Sequence, residues 1–175
     1  MRITATKLTL NPISKIIPEE YLKNNETIEQ VILSKGVTEI GKGAFLGCTN
    51  LKNAYLPKSL ESIGKYAFYN CLSLQEIEIP NKVKTIGNYA FSFCKSLTVI
   101  EMPDSLETIG DYAFYKCENL KEIEILNNVK TVGDYAFSFC KSLTKIIIDN
   151  TKEYVEQNWS KTWNYSCSAK ITYLR

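Results

Sequence analysis

The sequence repeats itself every 23 residues, and this period constrains the fold more than any other feature of the chain. One glycine, one cysteine and one Ala-Phe pair recur at the same places in five consecutive units. The glycines are Gly41, Gly64, Gly87, Gly110 and Gly133. The cysteines are Cys48, Cys71, Cys94, Cys117 and Cys140. A fixed period of about 20–50 residues is typical of a solenoid, in which short units stack along one axis.

Each unit contains one strand and one short segment of different periodicity. Residues 75–80 alternate polar and apolar side chains, as a half-buried strand does, and Pro80 ends the strand because it has no N–H to donate. In segment 64–71, Ala67, Phe68 and Cys71 have the spacing of a helical turn with one apolar face. Gly64 is expected at a turn with unusual dihedral angles. One unit cannot bury these faces alone, so stacking must build the core.

The same period extends into both ends of the chain. It predicts eight strands, centred near residues 8, 31, 54, 77, 100, 123, 146 and 169. In the last unit, the 23-residue step places Ala169 and Ile171 beside Ile146 and Ile148. Residues 150–163 are predicted to form a capping helix with an N-cap at Asn150. A longer period is also present: residues 58–103 and 104–149 align with 31 of 46 positions identical.

The repeated motif I-G-x-x-A-F-x-x-C-x-x-L resembles the BspA-like leucine-rich repeats, also called the Treponema pallidum type. The resemblance implies an α/β fold: a leucine-rich-repeat solenoid of about eight coils, with a parallel concave sheet and short helical segments on the other side. We expect one solenoid over residues 1–175, with degenerate coils in 1–36, regular repeats in 37–149 and a capping unit in 150–175. Members of the family are mostly surface or secreted proteins associated with adhesion and other protein–protein contacts.

Composition excludes several classes of function. The chain has no histidine, which removes histidine-based triads, metal sites and pH switches. A net charge of +2 argues against direct nucleic-acid binding. No apolar run approaches the roughly 18–20 residues of a membrane span, and residues 1–7 lack the apolar region of a signal peptide. As it stands the sequence is consistent with a cytoplasmic protein, whereas the resemblance implies the cell surface or secretion, so the sequence leaves the location open. We expect no enzyme activity, cofactor or metal.

The cysteine column admits more than one interpretation. Neighbouring coils place successive cysteines about 5 Å apart, but parallel side-chain directions disfavour disulfides. Small buried thiols that fill one repeated slot explain the column best, and disulfides or metal binding are the alternatives. Cys167 breaks the period and is the one candidate for an exposed thiol.

The outward residues of the strands are the candidate binding site. Eight of them are expected to line the concave face and contact a partner: Tyr55, Glu76, Glu78, Glu101, Glu122, Glu124, Lys145 and Ile147. Five are carboxylates, and like charges on neighbouring strands repel one another, which is consistent with a basic partner. A merely solvated face and weak Ca²⁺ binding are alternatives. A glycosidase-like carboxylate pair fits poorly, because it recurs and a shallow sheet offers no enclosed pocket.

Aromatic side chains form two further columns. Tyr66, Tyr89, Tyr112 and Tyr135 are expected to stack, and a staggered column contains Tyr69, Phe93, Tyr115 and Phe139. Lateral packing between coils is the simpler interpretation. Exposed Phe93 and Phe139 are the second, weaker candidates for partner contacts.

The sequence therefore predicts a protein–protein interaction module. The first hypothesis is adhesion or host- or partner-protein binding through the concave face. The alternative is an intracellular inhibitor or adaptor that occludes a basic, possibly nucleic-acid-binding, site on another protein. The sequence leaves the oligomeric state open.

Overall fold

The computed structural model describes residues 6–11 and 13–175, so residues 1–5, where the signal-peptide prediction falls, lie outside the described residues. Each coil contributes one long strand and one strand of two residues. The long strands are β1 (Lys7–Leu10), β3 (Gln30–Leu33), β5 (Asn53–Tyr55), β7 (Glu76–Glu78), β9 (Val99–Glu101), β11 (Glu122–Ile125), β13 (Lys145–Ile148) and β14 (Lys170–Tyr173). The short strands are β2 (Ile16–Ile17), β4 (Glu39–Ile40), β6 (Ser62–Ile63), β8 (Thr85–Ile86), β10 (Thr108–Ile109) and β12 (Thr131–Val132).

Parallel pairing between coils follows the 23-residue period. The long strands form one sheet in the order β1-β3-β5-β7-β9 and a second in the order β11-β13-β14. The short strands form a third sheet in the order β2-β4-β6-β8-β10-β12. Ile77 pairs with Ile100, as the period requires. The predicted positions of the first seven long strands are confirmed.

The eighth strand does not keep the predicted register. Ile171 pairs with Ile146 and Tyr173 pairs with Ile148, so the step is 25 residues rather than 23. The prediction that Ala169 lies beside Ile146 is therefore wrong by two residues. The cause is the helix α1 (Lys152–Asn158), which lengthens the last coil before its strand begins.

Helix α1 covers the end of the core. Its N-cap is Thr151, whose side-chain oxygen accepts a hydrogen bond from the N–H of Tyr154 at 3.1 Å, rather than the predicted Asn150. Val155 and Trp159 are buried on the inner side of the last coil. The helix is shorter than the predicted 150–163 because residues 161–166 form turns.

The core is a continuous column of matching side chains. The motif phenylalanines are fully buried and their rings stack at centroid distances of 5.1–5.3 Å: Phe45, Phe68, Phe91, Phe114 and Phe137. Trp163 ends this column edge-on to Phe137, with centroids 6.0 Å apart. Equivalent residues of successive coils occupy equivalent positions in the core, so each side chain packs against its own equivalents in the coils before and after it.

The segments predicted as helical turns are consecutive β-turns. Ala67 N–H donates to Gly64 O at 3.2 Å, whereas Tyr66 N–H donates to Asn88 O in the following coil at 2.9 Å. The N–H groups of this segment thus donate alternately to a carbonyl of their own coil and to a carbonyl of the following coil. None is left for the i→i−4 hydrogen bonds of an α-helix. Tyr66 and Asn70 both have φ of 59°, in the left-handed region. The prediction of short helical segments on this side is therefore wrong in detail.

The motif glycines serve close approach between coils rather than unusual dihedral angles. Gly64 N–H donates backward to Ile40 O at 2.8 Å. A Cβ atom at Gly64 would lie 2.6 Å from that same oxygen, closer than such atoms can approach. Gly64 has no positive φ, so the expectation of strained dihedral angles here is wrong.

Candidate functional site: the concave strand face

Alternate residues of the long strands project outward and form two columns on the concave face. One column pairs Glu78 with Glu101, and the other pairs Glu76 with Val99. The side chains between them point inward, as the buried Ile77 shows. The period-two alternation of the strands thus places polar residues outside and isoleucines inside.

The structure places all eight candidate residues on this face. Seven are exposed and Ile147 is half-buried. Glu122 lies 3.6 Å from the Nζ atom of Lys145 and is partly neutralised by it. Within the described part of the chain, no basic nitrogen lies within 4.0 Å of the other four carboxylates, Glu76, Glu78, Glu101 and Glu124. Four unpaired negative charges therefore face solvent on adjacent coils.

The carboxylates lie on two separate sheets, with a break in the backbone pairing between them. Sheet pairing ends at β9 and resumes at β11, although these two strands lie side by side. Glu101 and Glu124 lie on either side of this break. The candidate residues thus belong to two groups: one on β5, β7 and β9, and one on β11 and β13.

A depression of about 360 Å³ lies on the first group. Tyr55, Glu76, Glu78 and Glu101 line it together with Val99. The exposed fractions of Tyr55 and Val99 are 52% and 54%, high values for large apolar side chains. The depression therefore combines apolar anchors with three carboxylates, whereas Glu122, Glu124, Lys145 and Ile147 lie outside it.

Val99 was not among the residues predicted to bind. The polar–apolar alternation places Val99 in an outward column, but the prediction of a basic partner selects the carboxylates of that column and not its aliphatic residue. Asn53 and Leu56 also line the depression. The available signal was a β-branched residue at an outward position of an otherwise acidic column.

The cysteine column is buried and unpaired, as the sequence predicts. Each motif thiol donates a hydrogen bond to a backbone carbonyl, and Cys94 Sγ lies 3.2 Å from Phe68 O. Burial raises the pKa of the Cys94 thiol to about 12. Cys167 is only half-buried, and partial burial also raises the pKa of its thiol. Within the described residues, no group of three or more His, Cys, Asp or Glu side chains is arranged to hold a metal.

The two aromatic columns form as predicted. The tyrosine rings stack at centroid distances of 4.7–5.0 Å. The rings of the staggered column meet edge-on at 5.4–5.6 Å. Phe93 and Phe139 are half-buried in this second column, and Lys116 Nζ lies 5.2 Å from the Phe93 ring centre. Their role in partner contacts stays a prediction.

Comparison with known protein families shows which family the chain belongs to. The BspA type leucine rich repeat region matches residues 15–144 and 84–172, in six copies. The chain belongs to the BspA-type leucine-rich repeat family. This repeat type is typically a non-enzymatic scaffold that contacts other proteins. No match was found among curated proteins.

Solved structures of other proteins share the fold. The leucine-rich repeat protein of T. pallidum is 30% identical over 82% of this chain and 69% of its own, with a TM-score of 0.78. The pneumococcal vaccine antigen PcpA is 22% identical with a TM-score of 0.74, and a leucine-rich repeat protein from Bacteroides ovatus is 27% identical with a TM-score of 0.69. The last two matches cover 98% and 96% of this chain, but only 42% and 55% of the other chains.

Proposed function

We propose that this BspA-type chain is a non-enzymatic binding module that recognises a basic surface of another protein through its concave face. The observation that supports the proposal is the depression on β5, β7 and β9, where exposed Tyr55 and Val99 lie beside three unpaired carboxylates. Interface centres combine a large apolar anchor with polar groups that fix orientation. Lysine or arginine side chains of a partner have both features, an aliphatic stem and a cationic head.

The charge pattern favours a basic partner over a neutral one. Glu78 and Glu101 are direct neighbours across two strands, where like charges repel. A cation placed between them relieves that repulsion and gains two attractive contacts. The second group, with Glu122, Glu124, Lys145 and Ile147, extends the same face along the stack and contributes orientation.

The setting of this contact is the cell surface in the first form of the proposal. BspA-type proteins are often surface or secreted proteins, and adhesion to a host or partner protein fits such a place. Among the described residues no helix has the length and apolar character that crossing a bilayer requires. The alternative form is an intracellular inhibitor or adaptor that occludes a basic site, and the buried unpaired thiols favour a reducing compartment for it.

Affinity capture with the intact chain tests the proposal. Wild-type protein is immobilised and exposed separately to bacterial lysate and to host extracellular proteins, and each recovered protein is then purified and titrated. The triple variant E76Q/E78Q/E101Q should weaken binding by about tenfold or more and flatten its salt dependence. Recovery from only one pool separates the two forms.

A matched control removes the same number of charges elsewhere. Glu26, Glu39 and Glu61 are exposed and lie off the concave columns. The variant E26Q/E39Q/E61Q should bind the recovered protein as the wild type does. Equal binding by the wild type and the concave-face variant would overturn the proposal.

A further inference from the structure

The aromatic ladder on the turn side exceeds what the turns require. Each stacked tyrosine has a φ of 55–59°, a left-handed conformation that is strained for residues with a Cβ atom. In the first regular coil the corresponding places are occupied by Gly43 and Gly47, which adopt this conformation freely. The chain thus places large rings where glycine suffices. An observed backbone outlier of this kind points to a role for the side chain.

The second aromatic column leaves apolar surface in water. Phe93 and Phe139 also have positive φ, at 62° and 59°, and both rings are only half-buried. Tyr165, 56% exposed, continues the ladder beyond them. A row of half-exposed rings along several coils has the character of an interface that is open in the isolated chain.

One residue per coil flanks the tyrosines, and the charges of these residues follow an order. From the first coil to the sixth, the residues are Glu19, Lys42, Lys65, Asn88, Asp111 and Asp134. Their signs are negative, positive, positive, neutral, negative and negative. Reversing the order about Asn88 sets Lys65 opposite Asp111 and Lys42 opposite Asp134.

Backbone hydrogen bonds assign the first member of this column. Glu20 N–H donates to Lys42 O at 2.9 Å, the forward bond that the tyrosines make in later coils, so the residue before Glu20 belongs to the column. In the last coil the bonds give no single match, because Ser160 N–H donates backward to Val132 O as the motif glycines do, whereas Tyr135 N–H donates forward to Thr162 O. The charge order therefore ends at Asp134.

A second copy of this chain has the surface that matches such an order. A two-fold axis perpendicular to the stack, passing beside Asn88, reverses the coils of one copy relative to the other. Lys65 then faces Asp111 of the second copy, and Lys42 faces Asp134. Each contact occurs twice because the interface is isologous.

The aromatic columns obey the same reversal. Tyr89 and Phe93 lie in the central coil and meet their own copies at the axis. Tyr135 and Phe139 face the first regular coil of the second copy, where the half-buried Leu46 lies beside the buried Gly43. Rings at one end of the stack thus meet aliphatic surface at the other.

We propose that the chain forms an antiparallel homodimer through this turn-side surface. Pairing removes the half-exposed rings from water, and the ordered charges fix the antiparallel orientation over the parallel one, which would set like charges together. The concave face is a separate surface, so the homodimer does not depend on the function proposed above.

Sedimentation equilibrium of the full chain and of two charge-reversal variants tests the homodimer. Wild type should dimerise at low salt, and K65E and D111K should each raise the dissociation constant about tenfold or more, because each homodimer then contains two repulsive contacts. An equimolar mixture of K65E and D111K should regain dimerisation. A mixed dimer sets the introduced glutamate of one variant against the introduced lysine of the other, and its second contact keeps the native Lys65 and Asp111.

Two controls carry the same charge changes elsewhere on exposed loops: K82E and D104K. Both should dimerise like the wild type. Asp111 Oδ1 also accepts a hydrogen bond from Asp134 N–H at 2.9 Å, so a thermal melt checks that D111K is folded. A wild type that stays monomeric at every concentration overturns the proposal. So does a dimer that K65E leaves unchanged, or a mixture that dissociates as readily as its separate components.

Discussion

Phe91 is the side chain whose removal tests the stacked core most directly. It is fully buried, and its ring lies parallel to those of Phe68 and Phe114, with centroids 5.3 Å away on each side. The substitution Phe91→Ala opens a cavity in the middle of the column and removes both ring contacts. No neighbouring coil can move in to fill the space without losing its own register.

The expected loss follows from burial and stacking. Truncation of a buried phenylalanine to alanine typically costs about 3–5 kcal/mol, and each aromatic pair contributes about 0.5–1.5 kcal/mol beyond its buried area. The upper part of that range applies here, because two stacked pairs are broken at once. We expect the free energy of unfolding to fall by about 4–5 kcal/mol. Phe91→Leu, which keeps most of the volume, should cost about 1–2 kcal/mol.

Urea denaturation followed by circular dichroism at about 25 °C measures both losses. Tyr165→Ala provides the matched control, because this ring also contacts two others but is 56% exposed. It should cost less than about 1 kcal/mol. A loss below about 1.5 kcal/mol for Phe91→Ala, with an unchanged denaturant slope, would show that the ring column is not the core that stabilises the coils.

Three further predictions concern the thiols, the glycines and the C-terminal end. Only Cys167 should react with a thiol reagent at about pH 8 in the folded chain, and all six cysteines in urea, because burial raises the pKa of the motif thiols. Gly64→Ala should lower the free energy of unfolding by about 1–3 kcal/mol in urea denaturation, since its Cβ would meet Ile40 O at 2.6 Å. Arg175 Nε donates to Asp149 at 2.7 Å and lowers the pKa of that carboxyl below its ordinary value. The stability that this pair contributes is present above about pH 4 and is lost as the pH falls through the lowered pKa, so thermal melts of wild type and R175Q should differ at about pH 6 and converge near about pH 2.

The 23-residue period was sufficient to predict the strands and their partners, because lateral pairing copies the sequence step into space. Ile77 and Ile100 are neighbours for this reason. The last coil escaped the period because α1 lengthens it by two residues before β14, and such an insertion changes register without leaving a repeated signal. Periodicity thus predicts what the coils share and fails where one coil differs.

The turn segments illustrate a different limit. Ala67, Phe68 and Cys71 have helical spacing, but every second N–H in their segment bonds to the next coil. Local pattern cannot reveal a competing bond to another coil, so it predicts a helical turn where β-turns form. On the concave face, alternation placed all eight candidate residues outward. Alternation carries no measure of depth, so the depression beside Val99 is evident only in the folded chain.

The alternating hydrogen bonds of the coils have an electrostatic consequence for the length of the array. In the turn segments, the N–H groups of Tyr66, Phe68 and Asn70 all donate to the following coil. In parallel strands the N–H groups of successive residues point to opposite neighbours, so the strand dipoles largely cancel. The dipoles of the turn side are therefore the ones that align along the stack, as those of an α-helix do along its axis. Each added coil extends this aligned row and leaves partial charge at the two ends of the turn side.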